Sequence, residues 1–268
     1  AALKEHPEAP SLYRVYGRVL LAQNHPHKAV TALTRAAELD PSDVSALYDK
    51  ARLLEGVGFA KRARKAYQAV LKRRPNHVGA TVRMGRLLIQ LGEPVDALMH
   101  LQKAIRMQPD DVSTHNSLGV AFNAAGMRLE AVAVLEKALT LDAKQPAVHA
   151  NLAEALYGTA EFSKAIVHLR TALTLDPQRA KDRVALRRLV LMDEVTQATC
   201  SSSAAPSSKA LATRMARRWQ RENWPVNGFK GPLGQVLSDQ DAMLLIEQAV
   251  ERCRKHKRNG AAAGNSRK

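Results

Sequence analysis

Cysteine is almost missing from this sequence. Cys200 and Cys253 are the only two in 268 residues, and they match neither a disulfide framework nor a metal-binding spacing, which points to a reducing compartment. Aromatic residues make up only 4% against 46% hydrophobic residues. Alanine carries much of the apolar content, which suits closely packed helices and argues against a β-sandwich. Long apolar runs are also lacking: Ala131–Leu135 and Ala242–Ile246 are among the longest, far short of a bilayer span. No secretory signal pattern opens the chain. The first residue is alanine rather than methionine, as expected of an excerpt or of a product whose targeting peptide has been removed. The expected setting is therefore a soluble intracellular one, in the cytoplasm or inside an organelle such as the mitochondrion. Acidic residues are scarce locally, since residues 50–86 hold 11 basic side chains against Glu55 alone.

What is present is a ladder of prolines. Pro41, Pro75, Pro109 and Pro177 fall on one 34-residue grid, with Ala143 at the missing rung. Proline lacks the amide hydrogen and clashes with the preceding turn, so each of these positions predicts the end of a helix. Counting units from Pro10, Val44, Val78, Val112 and Pro146 aligns every column without an insertion. The eighth position is small: Gly17, Ala51, Gly85, Gly119, Ala153. The twentieth is always alanine: Ala29, Ala63, Ala97, Ala131, Ala165. The eleventh reads Leu20, Leu54, Leu88, Phe122, Leu156, and the twenty-fourth reads Leu33, Tyr67, Leu101, Leu135, Leu169. Small residues would let two antiparallel helices approach while the large columns fill the space between them. Asn24, Gly58, Gly92, Gly126 and Ala160 mark a turn needing a left-handed backbone. Pro26 and Pro94 follow at a first helical position.

This register resembles the tetratricopeptide repeat (TPR) family over residues 10–177. The resemblance implies an all-α fold, a right-handed α-solenoid of five helical hairpins. Lys50 and Arg73 replace apolar residues in unit two, so that unit is expected to be the least regular. Residues 179–197 read as a capping helix closing an array over 10–198. A linker over 199–209, a basic helical arm over 210–258 and a tail over 259–268 complete the chain, with an N-terminal segment at 1–9.

The net charge of +16 is uneven. Residues 10–177 carry 22 basic and 15 acidic side chains, and residues 178–268 carry 18 and 8. Three basic regions are candidate binding surfaces. The resemblance implies a concave groove lined by the ninth column, where Arg18, Arg52 and Arg86 would form a track for carboxylates or phosphates, flanked by Arg14 and Tyr48. The second helix of unit two carries Lys61, Arg62, Arg64, Lys65, Lys72, Arg73 and Arg74, most of which project away from its apolar face. In the arm, Arg217, Arg218 and Arg221 interleave with Trp219, Trp224 and Phe229, a mixture suited to docking on protein or to contacts with nucleic acid. The fixed lysine, asparagine and arginine set with which some members of the family grip chaperone tails is not matched, since Asp49 and Gly79 occupy two of its positions.

Nothing in the sequence assembles a catalytic, cofactor or metal site. His115 and His149 share a packing column, and no zinc spacing, phosphate loop or nucleophile elbow occurs. Some glycosyltransferases carry such repeats, but with 91 residues after Pro177 their catalytic domain is not expected in this sequence. The chain is expected to be a non-catalytic scaffold or accessory subunit of a larger assembly, with other proteins as partners and no small-molecule substrate. Two alternatives stay open: an RNA-binding component of a ribonucleoprotein such as an organellar ribosome, and an adaptor for acidic peptide tails.

Overall fold

A computed structural model describes residues 5–183 together with 185, 186, 189, 190 and 193. The capping helix beyond these residues, the linker, the arm and the tail, with Arg217, Arg218, Trp219, Arg221, Trp224 and Phe229, lie outside the described residues. Two compact units divide at Ala143, the rung without proline, with Lys144 opening the second. Among the described residues the secondary structure is helical, and no strand occurs.

The first unit holds four hairpins: α1 (Pro10–Ala22) with α2 (Pro26–Leu39), α3 (Val44–Gly56) with α4 (Ala60–Arg73), α5 (Val78–Gln90) with α6 (Pro94–Met107), and α7 (Val112–Ala124) with α8 (Arg128–Leu141). The second unit holds α9 (Pro146–Gly158) with α10 (Phe162–Leu175), and helical residues resume at Ala180. First helices are 13 residues long and second helices 14 in every hairpin, unit two included. The substitutions in unit two therefore leave its helix bounds unchanged. Lys50 is half-buried, and that burial pulls its ammonium below the ordinary lysine range, with Glu38 opposing the effect.

Local chemistry sets these bounds. Proline opens α1, α2, α6 and α9, where its missing amide hydrogen would have had no helical partner. Asp43 caps α3 by accepting from the Ser45 and Ala46 amides at 2.8 and 3.1 Å. Asp111 caps α7 through the Thr114 amide at 3.0 Å, and His77 caps α5 by accepting from the Ala80 amide at 3.1 Å. Each first helix ends in the same way. The residue in the turn column has positive φ, from 59° at Asn24 to 82° at Gly58. The next amide then donates back to the carbonyl of the eleventh column, as His25 does to Leu20 at 2.8 Å and Glu161 to Leu156 at 2.9 Å. This is the left-handed closing turn that satisfies orphan carbonyls at a helix C-terminus.

The proline ladder needs a qualification. The residues before Pro41, Pro75, Pro109 and Pro177 have left the helical region, with φ between −130° and −142° and ψ between 85° and 91°, as a following proline favours. Yet α8 stops in the same register at Leu141, with Asp142 extended before Ala143. Proline reinforces the stop and is not required for it.

The core follows the columns. Ala29, Ala63, Ala97, Ala131 and Ala165 are all fully buried, as are Leu33, Tyr67, Leu101 and Leu135. The small eighth column is where the hairpins close most tightly. A Cβ at Gly85 would sit 2.5 Å from Leu101 Cγ, and one at Gly17 would sit 2.8 Å from Leu33 Cγ. Within the first unit, each second helix packs on its own hairpin's first helix, and α2, α4 and α6 also pack on the first helix of the next hairpin.

Candidate protein-binding cleft

On the first unit, α1, α3 and the turns that follow them enclose a cleft of about 610 Å³. Its walls carry Arg18 from α1, Asp49 and Arg52 from α3, and Arg83 from α5. Its apolar floor is formed by Leu21, Pro26, Leu33, Leu53 and Val57. Arg18 and Arg52 are exposed and make no ion pair among the described residues.

The neighbouring side chains are tied down. Arg14 donates to Asp43 at 2.9 Å, which commits it to bridging the first hairpin to the second. Arg83 pairs with Glu55 at 3.1 Å, and Glu55 also accepts from the Tyr67 hydroxyl at 2.5 Å. Tyr67 is fully buried, and burial together with the Glu55 carboxylate pushes its hydroxyl well above the ordinary tyrosine range. Tyr48 is half-buried. Its ring lies 4.5 Å from that of His77, its hydroxyl fills the space that a Cβ on Gly79 would need, and the Arg52 guanidinium stands 5.9 Å over its face. Tyr48 therefore positions Arg52 by a cation–π contact.

The arginine track predicted from the ninth column is thus only partly gathered in one place. Arg18 and Arg52 share the cleft; Arg86 is exposed on α5 but does not line it. Arg83 lines it instead. Arg83 and Asp49 occupy the sixth column, whose side chains also reach the concave side, so reading the ninth column alone misses both. The signal was available in the alignment of units, because a helix exposes more than one column per face. In unit five the ninth-column Glu154 lines a separate cleft of about 350 Å³ with Asn151, Tyr157, Arg179, Asp182 and Leu189.

The basic residues of α4 project from the opposite side. Lys61, Arg62, Lys65, Lys72, Arg73 and Arg74 are exposed, and Arg64 is paired with Glu93 at 2.7 Å. The two buried histidines are packing residues. His115 Nδ1 lies 3.1 Å from the Asp111 carbonyl, and His149 Nδ1 lies 3.0 Å from His168 Nδ1 with the rings stacked. Among the described residues no cluster of histidine, cysteine or carboxylate side chains could hold a metal ion, and no helix is long and apolar enough to cross a membrane.

Sequence comparison agrees with this geometry. Tetratricopeptide repeat profiles match residues 1–44, 16–76, 48–112 and 82–146, and a second profile of the same name matches 123–189. This chain is a tetratricopeptide repeat protein. Its fold is the all-α solenoid class of the solved TPR proteins it resembles. YrrB, a TPR protein described as having an unusual peptide-binding site, is 22% identical with a TM-score of 0.60, covering 69% of this chain and 96% of YrrB. MamA from Desulfovibrio magneticus is 25% identical with a TM-score of 0.60, covering 64% and 97%. Pseudomonas aeruginosa pilF is 21% identical with a TM-score of 0.59, covering 80% and 93%. No curated protein sequence matches the chain. TPR arrays bind other proteins or peptides, and this TPR chain has the architecture of such a protein-interaction module.

Proposed function

We propose that this TPR protein is a non-catalytic scaffold or accessory subunit of a larger assembly, and that its first unit grips an acidic peptide segment of a partner. The observation that carries this reading is the cleft in which exposed Arg18 and Arg52 stand over Leu21, Leu53 and Val57. Two guanidiniums without carboxylate partners can each take a carboxylate in forked geometry. The apolar floor offers burial to a neighbouring aliphatic side chain. Asp49 at the rim disfavours a second acidic group beside it and sets the register of the segment. The preferred ligand is therefore an extended segment with one or two carboxylates next to an aliphatic residue. The basic arm, with Trp219 and Trp224, serves as a second docking element on the same assembly.

A random peptide display selection on the full chain tests this. Enriched sequences are expected to pair Asp or Glu with Leu, Ile or Val. Arg18→Ala combined with Arg52→Ala should weaken a selected peptide by about tenfold or more, since a charged hydrogen bond contributes about 1.5–3 kcal/mol, while Arg86→Ala should change it less than twofold. Equal losses in both variants would remove the cleft from consideration.

A further inference from the structure

The outer face of α4 carries a charge arrangement that its own helix does not explain. Lys61, Lys65 and Lys72 fall within about 40° of one another around the helix axis, over about 16 Å of its length. They stand opposite the buried Ala63, Tyr67 and Val70. The first turn of α4 has no acidic residue and no side-chain cap, so Lys61, Arg62 and Lys65 oppose the positive end of the helix dipole. Lys61 and Lys65 also repel each other at the i,i+4 spacing. Among the nearby acidic groups, Glu93 is held by Arg64, Glu38 by Arg35, and Glu55 by Arg83 and Tyr67. Asp96 in the first turn of α6 is the remaining carboxylate on the adjoining second helix.

At the N-terminal end of the stripe sits a ring. Phe59 lies 6.0 Å from the ring of His27, and the Arg62 guanidinium stands 5.4 Å over its face. Basic residues flank the track at two points, since α2 carries the exposed Lys28 in the column of Arg62 and α6 carries the exposed Arg106 in the column of Lys72. In the columns of Lys61 and Lys65, α6 carries the exposed Val95 and Met99, and α2 carries His27 and Thr31.

We infer that the outer face of α4 binds a single strand of nucleic acid, with phosphates along Lys61, Lys65 and Lys72 and a base against Phe59 and Arg62. The stripe itself carries no apolar anchor of the kind that holds a protein partner. Cations in a line with a stacking ring at one end are the combination that single strands take without sequence readout.

The test uses the full chain and a short fluorescein-labelled single-stranded RNA, with affinity read by anisotropy across a salt series. The C-terminal residues are themselves basic, so the α4 variant is compared with one that removes the same charge elsewhere. Lys61→Ala, Lys65→Ala and Lys72→Ala together should weaken binding at least tenfold. They should also lower the slope of log affinity against log salt by about 2, the value for three lost phosphate contacts on a single strand. Lys137→Ala, Arg170→Ala and Lys181→Ala together should change affinity less than twofold. Phe59→Leu should weaken RNA about fivefold and leave inorganic polyphosphate unaffected. Equal losses in the two triple variants overturn the assignment. So does a loss of poly-glutamate binding, or of phosphatidylserine-vesicle binding, in the Lys61, Lys65 and Lys72 variant as large as its loss of RNA binding.

Discussion

Ala160 is the residue whose backbone is least suited to its side chain. Its φ of 65° lies in the left-handed region, where a Cβ costs about 1–2 kcal/mol, and three of the five units place glycine in that column. Ala160→Gly removes this strain but gives the unfolded chain more freedom, a penalty of about 0.4–1 kcal/mol. The net expectation is a gain of about 0.5 kcal/mol in urea unfolding of the intact protein. A loss of stability in that variant would mean that the turn is not held as described. The small eighth column behaves in the opposite way, because there the restriction is on space rather than on backbone conformation. Gly85 faces Leu101 Cγ so closely that a β-branched replacement has no room, whereas Ala51 and Ala153 show that a single methyl is accommodated in other units.

At the scale of elements, Glu55 is the node of the first unit. From α3 it accepts from Tyr67 on α4 and pairs with Arg83 on α5. Glu55→Ala strands a fully buried hydroxyl, which costs about 1–3 kcal/mol. Arg83 is one-third exposed and regains water, so its contribution to the loss is small. The expected total is about 2 kcal/mol by urea unfolding. Tyr67→Phe, which removes the donor as well, should cost less, about 1 kcal/mol. If the two variants lose the same amount, the stranded hydroxyl is not the source of the loss. This node shows where sequence reading stops. The hairpins were legible because columns eight, eleven, twenty and twenty-four repeat every 34 residues with the same burial. The helix ends were legible from proline and the left-handed turn residues, whereas the aspartate caps at Asp43 and Asp111 were not read from the sequence. The ties between hairpins were not, because Arg14–Asp43, Glu55–Arg83 and Arg64–Glu93 join unlike columns 28 or 29 residues apart. Each occurs in one unit only, so no periodicity announces it. That is why Arg14, read as a groove residue, is already engaged, and why Arg83 replaces Arg86 in the cleft.

For the whole molecule, acid is the condition that reaches both compact units through the same chemistry. His100 in the first unit is held below the ordinary histidine range by burial and by the neighbouring Lys103, with Arg64 adding to the effect and Asp96 opposing it. His168 in the second is held below that range by burial and by His149 stacked against it. In each case the folded chain binds the proton less readily than the unfolded chain. Their contribution is therefore fully present above the unfolded value of about 6.5 and is lost as the pH falls through the lower folded values. Asp40, which accepts hydrogen bonds from Ser42, and Glu161, which accepts from Lys164 and Thr159, are lowered carboxylates. Their contribution is lost only in the more acidic carboxylate range. Thermal unfolding followed by far-UV circular dichroism should therefore fall by a few degrees between pH 7 and pH 5. His100→Gln with His168→Gln should flatten that interval while leaving the steeper loss at lower pH in place. A double variant that keeps the full decline between pH 7 and pH 5 would show that other groups carry the acid sensitivity. A single variant that flattens only half of it would show that the two units respond to acid separately.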